Sequence, residues 1–187
     1  MEPDISNCIK TLCEGGTILY PTDTVWGIGC DALNEQAVNK VFDIKDRPKH
    51  KSLVVLLAEP KDILQYVANP HPDIIDILEN FDRPTTVVYD GALEFPENAI
   101  NDNGTIAIRV TNDPFCKALI KRLRRPIIST SANISGQPTP QTFGDISETI
   151  KQRVDYIVAY RQEDNEIKAP SRLVKINDDG SLEILRA

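Results

Sequence analysis

Residues 45–57 read KDRPKHKSLVVLL. Lys45, Arg47, Lys49 and Lys51 take every second position, and an apolar run of strand length, 53–57, follows at once. Pro48 cannot sit inside a helix and favours an extended Arg47. Alternate side chains of an extended segment share a face at roughly 7 Å steps, so the spacing predicts a row of cations on one side. Such charges repel by only about 0.6 kcal/mol each in bulk water, and by several times more where the effective dielectric falls. A solvated loop tolerates that. A site for a polyanion uses it, because Arg offers a planar fork and Lys a point charge for phosphate or carboxylate. The chain has 187 residues and a formal net charge of -7. That balance argues against a general nucleic-acid coat protein and makes a local basic patch more informative.

The alternation of elements around this stretch sets the expected fold. Before it, Asn34 is a good N-cap for a helix with Ala37, Val38, Val41 and Phe42 on its apolar side, ending by about Asp46. After it, 53–57 reads as a buried strand. A Pro60-led helix and one over 72–80 come next, then the β-rich segments 85–89 and 105–110. Asp113 and Pro114 form an N-cap and first-turn pair for a helix through Leu123. PIIST (126–130) is a strand, and a helix near 142–152 precedes DYIVAY (155–160). A helix over 4–14 and the strand TILY (17–20) open the chain. SRLVKI and SLEILR close it as a hairpin around NDDG. The expectation is one α/β domain over 1–187, a mixed sheet with helices packed on it, with several strands buried on both faces. The polar connection 90–104 is long enough to suggest a functional or mobile loop.

Cys8, Cys13, Cys30 and Cys116 form no CxxC pair, and with only His50 and His71 no zinc spacing exists. Reduced, mostly buried thiols are expected. No apolar run reaches membrane-spanning length, and MEPDISNCIK lacks the order of a signal peptide, so a cytoplasmic chain without membrane contact is expected.

Two further stretches carry chemistry. STSANISG (129–136) follows the strand PII and gathers Ser129, Thr130, Ser131, Asn133 and Ser135 where a chain leaves a sheet, a usual place for ligands; a Ser/Asn turn has the same composition. YPTDTVWGIGCDA (20–32) offers Thr22, Asp23 and Thr24 after a strand stopped by Pro21. Its GIG is not a dinucleotide fingerprint, because Ala32 stands where the third glycine belongs. No Walker A, GxSxG or HExxH motif occurs.

YPTDTVWGIG, IKDRPKHKSLVVLL, IAIRV and STSANISG, in this order and at these intervals, resemble the YrdC-like family. The likeness runs from about residue 5 to the C-terminus and corresponds to the short single-domain form. It implies a twisted mixed parallel and antiparallel sheet with helices packed around it and a concave basic pocket. It also implies synthesis of L-threonylcarbamoyl-AMP from L-threonine, bicarbonate and ATP with release of pyrophosphate, for threonylcarbamoyladenosine in tRNA. Magnesium would arrive with ATP, since no carboxylate cage for a metal is visible. tRNA and threonylcarbamoyl-transfer proteins are the implied partners. By the same resemblance Lys45, Arg47, Ser131 and Asn133 match the KxR and SxN pairs and are the expected catalytic residues. ATP would also meet Lys51 and Arg186, with Thr105 and Thr139 as further nucleotide contacts. Threonine would meet Thr24, Arg109, Ser129 and Ser171. Arg109 in a buried strand needs an anionic partner in any case.

Trp26 stands where the family often has tyrosine, which keeps an aromatic wall and loses its hydroxyl. Arg83 and Arg172 replace a glycine and a threonine of the family's turns, and Arg172 puts one edge of the pocket in question. Two other readings remain: a module for double-stranded RNA or a tRNA arm, and a YrdC-fold paralogue activating a different carboxylate. The cations of KALIKRLRR (117–125) need no ligand, because they sit where a helix C-terminus favours positive charge.

Overall fold

A computed structural model describes residues 1–48 and 53–187. Its strands are β1 (Ile18–Tyr20), β2 (Gly27–Gly29), β3 (Val54–Leu57), β4 (Thr85–Tyr89), β5 (Ile106–Val110), β6 (Ile127–Ser131), β7 (Tyr156–Ile157), β8 (Arg172–Ile176) and β9 (Leu182–Arg186). They join one nine-stranded sheet in the order β7-β1-β2-β6-β3-β5-β4-β8-β9. The pairs β1–β7, β3–β5 and β4–β8 are parallel and the others antiparallel, so the mixed sheet expected from the element order is what forms. The helices are α1 (Glu2–Cys13), α2 (Glu35–Ile44), α3 (Ile63–Tyr66), α4 (Ile74–Glu79), α5 (Pro114–Leu123) and α6 (Glu148–Arg153).

The register sorts the sheet's two faces by chemistry. Ile128, Val55, Ile108, Val87 and Val174 lie side by side across β6, β3, β5, β4 and β8, and none is more than 2% exposed. Each such side chain stabilises the fold by about 1.5–3 kcal/mol. One residue along, the same strands present Ser129, Val54, Arg109 and Thr86 to the other face, because side chains alternate. The polar face carries the candidate site.

The predicted caps form. Asn34 Oδ1 accepts from Ala37 N at 3.1 Å, and Asp113 Oδ1 from Cys116 N at 2.9 Å. β2 is a strand that the glycine-rich reading of GIG did not expect. The Tyr20 hydroxyl reaches across it to donate to the Ile128 carbonyl at 2.9 Å. A Cβ on Gly29 would stand 2.5 Å from that carbonyl oxygen and 2.6 Å from the tyrosine ring, so only glycine fits. The segment 90–104 is docked rather than free: Asn98 Nδ2 donates to the Glu35 carbonyl at 2.9 Å and to Asn39 Oδ1 at 3.1 Å, on α2.

The extended row of cations is not what forms at Lys45 and Arg47. α2 runs to Ile44 with Lys45 as its C-cap. Asp46 takes a left-handed conformation at φ 49°. Its N–H meets the Asp43 carbonyl at 3.2 Å, and the Arg47 N–H meets the Phe42 carbonyl at 2.9 Å. This is a Schellman closure with aspartate in the place glycine usually takes. It leaves Lys45 buried and Arg47 half-buried at the cavity. Lys49 and Lys51 lie outside the described residues.

Candidate active site

The polar face of the sheet holds a cavity of about 310 Å³. That is near the lower end for small-molecule sites, about 300–1,000 Å³. Of the residues expected at the site, Thr24, Arg47, Arg109, Ser129, Ser131, Thr139, Ser171 and Arg186 line it together. They come from the β1–β2 turn, the end of α2, β5, β6, the segment after β6, and the β8–β9 hairpin with the residue before it. Its described lining carries three arginines and no carboxylate.

Lys45 does not line the cavity. It is 1% exposed, and its Nζ donates to the Ser131 carbonyl, while its own carbonyl accepts from Ser135 N at 2.8 Å. Burial, and then the neighbouring Arg47 charge, pull its pKa down to about 7. Lys45 thus ties the end of α2 to both sides of the Ser131–Asn133 turn. Ser129, Thr130 and Ser131 belong to β6 itself rather than to a loop beyond it. Asn133 braces the same turn: its Nδ2 donates to the Ile134 and Gln137 carbonyls, each at 3.0 Å, and its Oδ1 is buried without a partner. Thr105 is likewise outside the lining. Its hydroxyl donates to Asn103 Oδ1 at 2.6 Å and accepts from Asn101 Nδ2 at 3.0 Å, closing the turn into β5. Lys51 falls among the undescribed residues.

Arg109 is 4% exposed. Its Nη2 donates to Asp23 Oδ1 at 3.0 Å and to Thr24 Oγ1 at 3.3 Å, and its Nε is buried with no partner. The expected anionic partner of this buried cation is first of all the chain's own Asp23. At the opposite rim Arg186 Nη2 donates to the Ser171 carbonyl at 2.8 Å, and the Ser171 hydroxyl shares a 2.8 Å hydrogen bond with Thr86. Trp26, 7% exposed, forms an aromatic wall, its ring centroid 4.9 Å from that of Phe143. Burial lowers the pKa of Arg47, which favours an anion beside it.

Arg172 leaves the cavity edge clear. It pairs with Thr85 in the β4–β8 register, so it projects to the face opposite Ser171. There Nη2 donates to Thr85 Oγ1 at 3.2 Å, and the guanidinium lies 5.5 Å from the Phe81 ring centre. Arg83 is exposed and outside the lining. Thr130 and Gln141 also line the cavity, beyond the residues the motifs point to.

Among the described residues no helix is long and apolar enough to cross a membrane, and no group of three or more His, Cys, Asp or Glu is arranged to hold a metal ion. Comparison with known proteins gives one consistent answer. Residues 10–187 match the family model for Sua5, YciO and YrdC, described as "Telomere recombination". A threonylcarbamoyl-AMP synthase of Pseudoalteromonas translucida is 36% identical over 82% of this chain and 84% of its own. One from Xanthomonas campestris pv. campestris is 31% identical over 98% and 97%. The structure of P. abyssi Sua5 complexed with L-threonine superposes with a TM-score of 0.82 at 25% identity, over 94% of this chain and 51% of that one, so the chain spans about half of that relative. E. coli YciO shares the fold, with a TM-score of 0.81 at 22% identity over 100% and 89%. The chain belongs to the Sua5/YciO/YrdC family.

Proposed function

We propose that the chain condenses L-threonine, bicarbonate and ATP into L-threonylcarbamoyl-AMP and pyrophosphate, the activated form used for threonylcarbamoyladenosine in tRNA. The observation that carries this reading is the cavity itself: three arginines and a set of hydroxyls converge, with no carboxylate in the described lining. Relatives named threonylcarbamoyl-AMP synthase, which cover nearly the whole chain, support it.

The reaction explains the charge. The threonine amine captures carbon dioxide as a carbamate; a carbamate oxygen attacks the α-phosphorus of ATP, and the bond to pyrophosphate breaks. Two anions must meet, and charge builds on the phosphoryl oxygens. Fixed donors aimed at that charge lower the barrier more than mobile water does. Arg47, Arg186 and the Ser131 hydroxyl are assigned to ATP, with Thr139 at the rim. Thr24, Arg109, Ser129 and Ser171 are assigned to threonine. Lys45 and Asn133 act one step back, by holding the turn that presents Ser131. The magnesium that neutralises the phosphates would enter on ATP. The cytoplasm, which supplies ATP and tRNA, is the compartment this reaction implies. tRNA and the proteins that transfer the threonylcarbamoyl group are its downstream partners.

The test is an assay of pyrophosphate release from labelled ATP with magnesium and bicarbonate, one amino acid at a time. Release that needs L-threonine and bicarbonate together is the expected result. ATP binding without a threonine response would assign the cavity to another carboxylate. No ATP binding would return the basic surface to RNA.

A further inference from the structure

We propose that Thr22 is a positioning residue: its hydroxyl fixes the direction of the Thr24 hydroxyl, so that Thr24 meets the amino acid only as a hydrogen-bond acceptor and selects a donor, N–H or O–H, at that point. This rests on the reading that L-threonine binds beside Thr24 and Arg109.

Three observations carry it. The first is a balance of donors and acceptors. A hydroxyl has one proton to give and two lone pairs. Thr22 Oγ1 lies 2.7 Å from the Val25 carbonyl, which can only accept, so the Thr22 proton is committed there. Its lone pairs take the Thr24 N–H at 3.0 Å and the Thr24 hydroxyl at 3.2 Å. With the Thr22 proton engaged, Thr24 is the donor of that last bond, and Thr22 is complete. Thr24 has then given its proton, and one of its lone pairs accepts from Arg109 Nη2 at 3.3 Å. Its second lone pair has no donor among the described residues.

The second observation is place. Thr24 and Arg109 both line the cavity, and Thr22 does not, so Thr22 acts on a ligand there through Thr24. The two threonines are 3% and 8% exposed, and in such a setting a hydrogen bond is stronger than in water. A ligand acceptor set against Thr24 faces a lone pair, while Arg109 beside it offers N–H groups. The two residues therefore tell the ends of the amino acid apart, carboxylate to Arg109 and donor to Thr24. Discrimination comes from the repelled acceptor as well as the matched donor.

The third is that the turn is held from behind. Arg161, paired with Asp113 at 2.6 Å, donates to the Thr22 carbonyl at 3.2 Å. The Cys116 thiol donates to the Pro21 carbonyl at 3.3 Å. Asp23 Oδ1 accepts from Arg109 Nη2 at 3.0 Å. A turn fixed on several sides presents a preset acceptor with little ordering cost on binding.

The experiment measures affinity by titration calorimetry, for L-threonine with a non-hydrolysable ATP analogue present and for the analogue alone. Thr22→Val keeps the branched shape and removes the hydroxyl. It should weaken L-threonine by about 5- to 15-fold, the worth of one hydrogen bond, and leave the analogue within about 2-fold. Thr22→Ser should restore L-threonine binding. Unchanged L-threonine affinity in Thr22→Val overturns the proposal. So does an equal weakening of both ligands, since Thr22 would then only hold the fold. Thr24→Val separates the two levels. If it leaves L-threonine binding intact, the amino acid binds elsewhere and the underlying reading falls too. If it weakens L-threonine, adding Thr22→Val should cost nothing further; a second full loss means the two threonines act independently, and only the present proposal is lost. L-valine, which matches threonine in shape and lacks the hydroxyl, names the donor. A Thr22→Val effect that persists with L-valine assigns the amine, one confined to L-threonine assigns the hydroxyl, and both uphold the proposal. Neutron diffraction from wild-type crystals in heavy water needs no variant to fold. Deuterium should lie between Thr22 Oγ1 and the Val25 carbonyl, and on Thr24 toward Thr22 Oγ1. Deuterium on Thr22 aimed at Thr24 Oγ1 overturns the assignment.

Discussion

Two of the molecule's cavities differ sharply in character. The larger, about 610 Å³, lies beside the start of α5's last turn and the Pro60 segment, lined by Glu59, Lys61, Asp62, Glu79, Lys121, Arg124 and Arg125 among others. Charges of both signs line it, and some are paired within the chain. Glu59 takes Lys121 at 2.5 Å and Lys117 at 3.7 Å, and Arg125 takes the buried Asp31 at 2.7 Å. The hydrogen bond from Lys121 is the main reason the Glu59 carboxyl titrates below its ordinary range. The smaller cavity, about 310 Å³, sets arginines and hydroxyls against no lining carboxylate. Volume does not set the two apart; lining charge does, with both signs in the larger cavity and only cations in the described lining of the smaller. The cations of KALIKRLRR bear this out as structural ones, with Lys121 and Arg122 in the last turn of α5, where the helix dipole favours them.

Removing one of the lining cations should have the largest effect. Arg47→Ala is expected to lower synthesis by about 10³-fold, the scale seen when a cation that stabilises a phosphoryl-transfer transition state is deleted. The backbone N–H of residue 47, which closes α2, survives the change, so the melting temperature should move little. Single-turnover rates and a thermal melt check both. A chain that unfolds on this substitution would make Arg47 a structural residue and erase the contrast between the cavities.

Lys45 sharpens the comparison because it is a cation outside the small cavity's lining, two residues from Arg47, that meets protein rather than solvent. Lys45→Met keeps the packing and frees the Ser131 turn, so synthesis should fall by about 10- to 100-fold. Stability should respond to pH in a defined sense. The folded pKa is pulled down to about 7 from an unfolded value of 10.5. Between those values the unfolded chain binds more protons than the folded one, so this lysine's burial costs most at and below pH 7 and least above 10.5. The melting temperature of Lys45→Met relative to wild type should therefore be highest near pH 7 and decline toward pH 10. A difference independent of pH would mean that Lys45 is not held in the buried setting described. ATP phosphates nearby should also favour the charged form, so binding at pH 8 should take up at most about one proton, read from calorimetry in two buffers.

How much of this the sequence held depended on whether the cause was local. Asn34, Asp113-Pro114 and the closing hairpin are legible because a cap or a turn is decided within four or five residues. The apolar runs 53–57 and 85–89 are legible because burial on a sheet needs only length and branching. β2 is different: three residues with two glycines carry no strand propensity, and its state is imposed by pairing with β1 and β6 and by the Tyr20 ring. Lys45 and Asp23 were hidden for the same reason. Lys45 meets Ser131, 86 positions away, and Asp23 meets Arg109 at the same separation. A one-dimensional row of alternating cations could not reveal that Asp46 would turn left-handed, burying Lys45 and leaving Arg47 at the cavity. The motif resemblance nonetheless picked out eight residues that the fold gathers around one cavity.

The smallest expected effect tests the larger cavity. Arg124 caps α5 in the left-handed region, at φ 60° and ψ 28°, and its N–H closes on the Ile120 carbonyl at 2.8 Å. A residue with a Cβ resists that conformation, and glycine does not. Arg124→Gly should therefore stabilise the chain by about 0.5–1 kcal/mol, raising the melting temperature by roughly 1–4 °C for a chain of this size. Synthesis should change by less than about 2-fold, the scale of surface substitutions away from functional features. The same variant thus separates two accounts of the basic cluster. Greater stability with full activity means the arginine serves only the helix end. Greater stability with a clear loss of synthesis means its side chain reaches something the reaction needs, and the larger cavity would then share in the function now assigned to the smaller one.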